Sequence, residues 1–148
     1  MDTMFSVGVD MTEIPRIRRA IERWGDRFLR RVYTPAEVAY CRGRVPELAA
    51  RFAAKEAISK ALGTGLVGVS WIEMEVLADR RGKPLVVLHG RALDRARALG
   101  LDQWAVSLTH TDATAVAVVV ATGSGPRQAP ASTPPGRRQR SAKAVSRV

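Results

Sequence analysis

The stretch RFAAKEAISKALGTG, residues 51–65, decides how this chain is read, together with Gly8-Val9-Asp10 near its start. A helix is expected there, with Glu56 and Lys60 four residues apart and so one turn apart on one face. Gly63 ends it, and Thr64 and Gly65 follow as a turn that lets backbone N–H groups approach a ligand. Asp10 stands where a short N-terminal strand gives out. Two carboxylates, a lysine and a glycine-rich turn suit Mg²⁺ and a phosphorylated ligand.

Working outward, Phe5, Val7 and Val9 alternate as a half-buried strand does. Thr12 is expected to cap a following helix that has Glu13 and Pro15 in its first turn. On that helix Ile14, Ile17, Ile21 and Trp24 form an apolar stripe, and Arg16, Arg19 and Arg23 a separate basic one. Thr34-Pro35-Ala36-Glu37 is a capping box that starts a short helix at Pro35. Pro46 opens the long helix, and its alanines at 49, 50, 53, 54 and 57 leave it thin enough to pack closely on a sheet. Ile72, Met74 and Val76 then alternate, a turn over 79–82 leads into a strand at 84–88, and a helix over 91–99 ends at Gly100. Two last strands, 104–108 and 113–121, flank Thr109-His110-Thr111-Asp112. Strand, helices, then strands predict an α+β fold, a small antiparallel sheet packed with a long helix.

With 148 residues, there is room for one domain with a proper core. No apolar run nears the roughly 20 residues of a membrane span, and no signal-peptide pattern opens the sequence. A cytoplasmic protein is expected, and the single cysteine, Cys41, reads as inert packing. The net charge of +10 invites a nucleic-acid reading, but six of the 24 basic residues fall in 122–148, a segment without acids. That leaves 18 basic against 14 acidic residues in 1–121, a net +4. The chain therefore divides into a domain at 1–121 and a basic, Pro/Ser/Arg-rich tail at 122–148, expected to be disordered. The tail reads as a solubilising extension or a polyanion binder.

The motifs GVDMTEIPRI, FLRRVYTPAE, RFAAKEAISKALGTG, the GKP at 82–84 and SLTHTDATAVAVVV occur in one order over residues 4–121. In this the chain resembles the holo-acyl-carrier-protein synthases, the small bacterial type of 4′-phosphopantetheinyl transferase. The resemblance implies that fold, and transfer of the phosphopantetheine arm of coenzyme A to a serine of an apo acyl carrier protein, releasing adenosine 3′,5′-bisphosphate. It implies Asp10 and Glu56 as Mg²⁺ ligands, with Lys60 neutralising phosphate charge. Glu56, Lys60 and His110 become the candidate catalytic residues, and Lys60, Thr64, Gly65, His110 and Thr111 the coenzyme contacts. The general base stays open between Glu56 and a water held by the metal and an acid.

Arg16, Arg19 and Arg23 match or adjoin a carrier-contacting position, and a basic helix face suits an acidic carrier. Arg51 and Lys55 read equally as ligand-binding or as solvated, and His89 as structural. The family further implies a homotrimer with shared sites, Asp10 and His110 of one chain facing the Glu56 helix of the next. No membrane or specific nucleic-acid partner is expected. Two rival readings remain, a catalytically silent relative and a nucleic-acid-binding protein that rests mainly on the tail.

Overall fold

A computed structural model of the chain describes residues 2–126. The expected tail lies, but for its first five residues, outside the described residues.

The backbone starts as a ten-residue strand, β1 (Met4–Glu13), paired antiparallel along its whole length with the last strand, β5 (Thr114–Gly123). The strand β4 (Gln103–His110) pairs with the other edge of β5, so the order is β1-β5-β4. A second sheet is the hairpin of β2 (Met74–Ala78) and β3 (Pro84–Leu88), turned through Asp79, whose backbone N–H donates to Lys83 O at 2.9 Å. Helices α1 (Ile14–Trp24), α2 (Asp26–Val32), α3 (Pro35–Cys41) and α4 (Val45–Ala61) lie between β1 and β2, and α5 (Gly90–Ala98) links β3 to β4. The expected α+β architecture with one long helix is what forms, but its antiparallel strands divide between two small sheets where one was expected.

Helix α4 is the centrepiece because nearly all of it is buried. One flank packs Ala53, Ala54, Ala57, Ile58 and Ala61 with residues of both sheets. Another packs Leu48, Ala49, Ala50 and Phe52 with α1, α2 and α3. Its alanines allow a close approach to β1: a Cβ at Gly8 would overlap the Ala57 carbonyl oxygen. The helix closes with a Schellman turn, Gly63 N–H donating to Lys60 O at 3.0 Å and Thr64 N–H to Ser59 O at 3.3 Å. Gly63 supplies the positive φ of 74° that this turn requires.

Several expectations need correction. Thr12 does not cap α1; it sits inside β1 opposite Ala115, buried, while Glu13 occupies the cap position without a side-chain bond. The ladder to β5 outcompetes the cap, and Ile14 N–H is satisfied instead by Ala113 O at 2.8 Å. Helix α2 was not anticipated: Gly25, at φ 54°, breaks the helical path and lets a second helix start at Asp26. Trp71–Glu73 is a single 3₁₀ turn, so Ile72 is exposed and the strand begins only at Met74, with three successive buried residues in place of the expected alternation. Strand β5 also runs to Gly123, two residues past the expected domain edge at 121.

Candidate active site

The inward face of β1 carries Ser6, Gly8, Asp10 and Thr12 toward α4. Lys60, in the last turn of α4, donates from Nζ to Val9 O at 3.0 Å and to Asp10 Oδ1 at 3.1 Å. The Thr12 hydroxyl donates to the other Asp10 oxygen at 3.4 Å. Asp10 is thereby held between strand and helix with its carboxylate one-fifth exposed, and Lys60 is half exposed. Glu56 lies one turn before Lys60 on the same helix face. Burial pushes its carboxyl above the usual carboxylate range, and the negative charge of Asp10 adds to that rise, while Lys60 and Arg16 oppose it. Asp10, Glu56, Lys60 and Arg16 thus form one electrostatic cluster within a single chain. The expectation that Asp10 faces the Glu56 helix of a neighbouring chain is corrected: Asp10 faces the helix of its own.

Two neighbouring carboxylates, one of them raised in proton affinity by burial and by the charge of the other, are a donor set that a hard divalent cation relieves. Among the described residues no three His, Cys, Asp or Glu side chains gather as a metal cage. A Mg²⁺ ion fits this pair only if phosphate and water oxygens supply the rest of its octahedron, its common mode of binding.

Beyond Lys60 the chain turns through Thr64 and Gly65. The Thr64 hydroxyl donates to Gly65 O at 2.8 Å, and Gly65 sits at φ 55° with open space where a side chain would stand. The glycine is therefore dictated by its backbone angle, and the turn stays accessible. His110 is elsewhere, at the exposed end of β4, with Nδ1 3.2 Å from Thr111 O. Thr111 closes the β4–β5 turn, its hydroxyl oxygen accepting from Ala113 N–H at 3.3 Å and Thr114 N–H at 3.1 Å. His110 opens into a cleft with Tyr40, Arg51, Gly82 and Pro84 that Asp10, Glu56 and Lys60 do not line. One chain therefore holds the expected site residues in two separate groups.

Arg51 and Lys55, read as ligand-binding or solvated, are both buried, so the solvated reading is corrected for each. Arg51 donates to Val76 O at 3.3 Å, pairs with Glu47 at 3.1 Å and stacks over the Tyr40 ring at 4.5 Å. Lys55 is wholly enclosed and pairs with an equally enclosed Glu37 at 2.8 Å. Helical spacing could not show this, because alanines bury α4 over most of its circumference and leave no polar stripe to read. His89 is half exposed, its Nε2 3.0 Å from Glu75 Oε1, and Cys41 is buried with its thiol pushed up to about 11.

The basic stripe of α1 is exposed, with Arg16 5.9 Å over the Phe52 ring and Arg23 4.9 Å over Trp24. Beside it lies a feature the sequence reading missed, an aromatic cavity. Phe52 stacks on Trp71 at 4.6 Å and on Phe28 at 6.4 Å, and Trp24, Arg27 and Arg31 complete the walls. Its sequence signal is the arginines of α2 one residue before and three residues after Phe28, invisible until that helix is placed.

Residues 6–119 match the family described as the 4′-phosphopantetheinyl transferase superfamily. A holo-[acyl-carrier-protein] synthase of Herpetosiphon aurantiacus is 52% identical over 127 residues, covering 81% of this chain and all of that one. Among solved structures, the holo-[acyl-carrier-protein] synthase of Neisseria meningitidis superposes with a TM-score of 0.71 at 36% identity, covering 78% of this chain and 96% of its own. That of Helicobacter pylori, solved in complex with coenzyme A, gives 0.72 at 30% identity, covering 78% and 98%. With its strand, its helix and its paired carboxylates in place, the chain belongs to the holo-[acyl-carrier-protein] synthase family of 4′-phosphopantetheinyl transferases.

Proposed function

We propose that the chain transfers the 4′-phosphopantetheine arm of coenzyme A to a serine hydroxyl of an apo acyl carrier protein, at the Asp10–Glu56–Lys60 cluster. The serine oxygen forms a bond to the phosphorus that carries the arm, the pyrophosphate P–O bond breaks, and adenosine 3′,5′-bisphosphate leaves with the electron pair. Asp10 and Glu56 would hold Mg²⁺, which would supply charge neutralisation for the pyrophosphate oxygens. Lys60 adds a compact positive charge where negative charge grows on the leaving phosphate. The serine proton goes to Glu56 or to a water held by the metal and an acid. The open turn at Thr64–Gly65 presents its backbone to the coenzyme. The observation that carries the reading is the convergence of Asp10, Glu56 and Lys60 from β1 and α4 in a chain of this family.

The carrier docks on the α1–α2 face. Arg16, Arg19 and Arg23, joined by Arg27 and Arg31, steer an acidic partner, and the Phe28–Phe52–Trp71 cavity receives an apolar side chain from it. Arg16 belongs to both regions, since it reaches toward Glu56 and lies over Phe52. The carriers served are those of fatty-acid or polyketide synthesis.

A homotrimer with shared sites is supported by two features. The outer face of β1 bares Phe5, Val7, Val9 and Met11, each more than half exposed, a strip that a second copy can cover. Second, His110 and Arg51 stand apart from the carboxylates in one chain, so a neighbour's cleft is needed to bring them to the coenzyme.

Intact mass of an apo acyl carrier protein, incubated with the chain, coenzyme A and Mg²⁺, tests the reaction: a gain of roughly 340 Da, lost with EDTA or Glu56→Ala, is expected. No gain with several carriers would leave a catalytically silent relative. Mixing Glu56→Ala chains with His110→Ala chains tests sharing. Activity returns if the two residues meet across chains, and stays absent if each site is built by one chain.

A further inference from the structure

Glu56 has no side-chain hydrogen bond to any described residue, so nothing at its own tip fixes where it points. The residues on either side of it, however, are the most tightly held of α4. After it, the Ala57 carbonyl lies against Gly8 so closely that no side chain fits between. Before it, Lys55 is wholly buried, and its Nζ donates to Glu37 Oε1 at 2.8 Å, Trp71 O at 3.0 Å and Met74 O at 2.8 Å. An ammonium has three N–H donors, and here each has an acceptor. The acceptors come from α3, from the 3₁₀ turn and from the start of β2.

Glu37 is fixed in turn. It accepts from Thr34 N–H at 2.9 Å and from Val76 N–H at 3.1 Å. The Thr34 hydroxyl donates onward to Glu75, which also meets His89. The Lys55 side chain is therefore tied into a network that spans α3, β2 and the residue before α5. Neighbouring residues on a helix point about 100° apart, so locking the direction of Lys55 sets the direction of Glu56. A buried ion pair is commonly no more stabilising than apolar residues of the same volume. Stability alone does not account for a lysine here.

We propose that Lys55, through its pair with Glu37, is a positioning residue: it sets the rotation of α4 that aims the Glu56 carboxylate at Asp10. Lys55 touches neither coenzyme nor carrier. The proposal rests on Glu56 being a metal ligand of the transfer reaction.

The test compares wild type, Lys55→Met, and Lys55→Met combined with Glu37→Gln. The single variant leaves Glu37 buried without its partner and loses thermal stability. The double variant removes both charges and regains most of it. A positioning role predicts that kcat nonetheless stays down by about 10- to 100-fold in the double variant, the usual scale when support behind a metal ligand is removed. KM for coenzyme A should move less than about threefold, because no coenzyme contact is lost. Mn²⁺ affinity in the presence of coenzyme A, followed by the electron paramagnetic resonance of free Mn²⁺, should weaken about tenfold without any turnover.

Recovery of wild-type kcat and Mn²⁺ affinity along with stability would overturn the proposal and leave the pair a packing device. If stability is not recovered, Glu56→Asp in both backgrounds decides, measured where circular dichroism shows the chains folded. Losses that fail to multiply support action through Glu56, and losses that simply multiply overturn it. A wild-type chain that binds no Mn²⁺ with coenzyme A would instead sink the reading of Glu56 as a ligand.

Discussion

Helix α4 carries two lysine–carboxylate pairs five residues apart, and they are opposites. Lys55–Glu37, at 2.8 Å, is closed to solvent on both sides and all three lysine donors are used. Lys60–Asp10, at 3.1 Å, is half exposed on the lysine side, and Nζ meets two acceptors among the described residues. A closed pair with every donor satisfied has nothing left for a ligand and can serve only as structure. An open pair keeps a donor and a charge free for phosphate oxygens. The lesson is that the same two residue types divide into frame and chemistry by burial and donor saturation alone.

The largest effects should separate the pairs most cleanly. Lys55→Met is expected to cost about 3–5 kcal/mol of stability, because it strands a buried carboxylate, and thermal unfolding measures it. Lys60→Met should shift stability by less than about 1 kcal/mol, as exposed pairs do, yet lower kcat by on the order of 10²-fold. If Lys60→Met unfolded the chain as readily as Lys55→Met, the division into frame and chemistry would collapse.

Arg16→Ala sharpens the comparison at the rim of the site. A roughly three- to tenfold rise in KM for the carrier is expected, shrinking as salt rises, because exposed charges steer association and are screened. A salt-independent effect would place Arg16 in the chemistry instead of in docking.

The smallest expected effect is a pH dependence in metal-free buffer. Glu56 is raised above its ordinary range by burial first and by Asp10 second. In the window between the ordinary and the raised value the folded chain binds more protons than the unfolded one, so stability rises as pH falls through it. At neutral pH the charged form is therefore destabilising, and Glu56→Gln should unfold at a slightly higher temperature than wild type at pH 7. The gain should vanish at low pH, where both side chains are neutral. An equal gain at both pH values would mean that burial, and not charge, distinguishes the two.

The residues of the open pair were legible in the sequence, though their meeting within one chain was not, and the closed pair was not legible at all. Asp10, Glu56 and Lys60 sit in motifs whose glycines and spacing speak for themselves. Lys55 carried no such signal: its partner, Glu37, is 18 residues away and already explained as half of a capping box. Thr12 was misread for a related reason. A threonine before Pro15 has local cap chemistry, and only the long-range ladder to β5 shows that the strand continues through it. His110 was read as a turn residue but is the last residue of β4, paired with Ala115, and its separation from Asp10 is set by sheet order, which β1-β5-β4 fixes and spacing does not. What local chemistry specifies was readable, and what pairing across the chain specifies was not.

The contact between Gly8 and Ala57 limits how this site can be retuned. Glycine is already the smallest residue, and a single methyl group at position 8 overlaps the helix backbone. The gap between the strand that carries Asp10 and the helix that carries Glu56 therefore cannot be widened in small increments. An engineer seeking to accommodate a larger cation, or a lineage drifting toward one, has to work through residues 10 and 56 themselves or rebuild the whole helix–strand contact in one step.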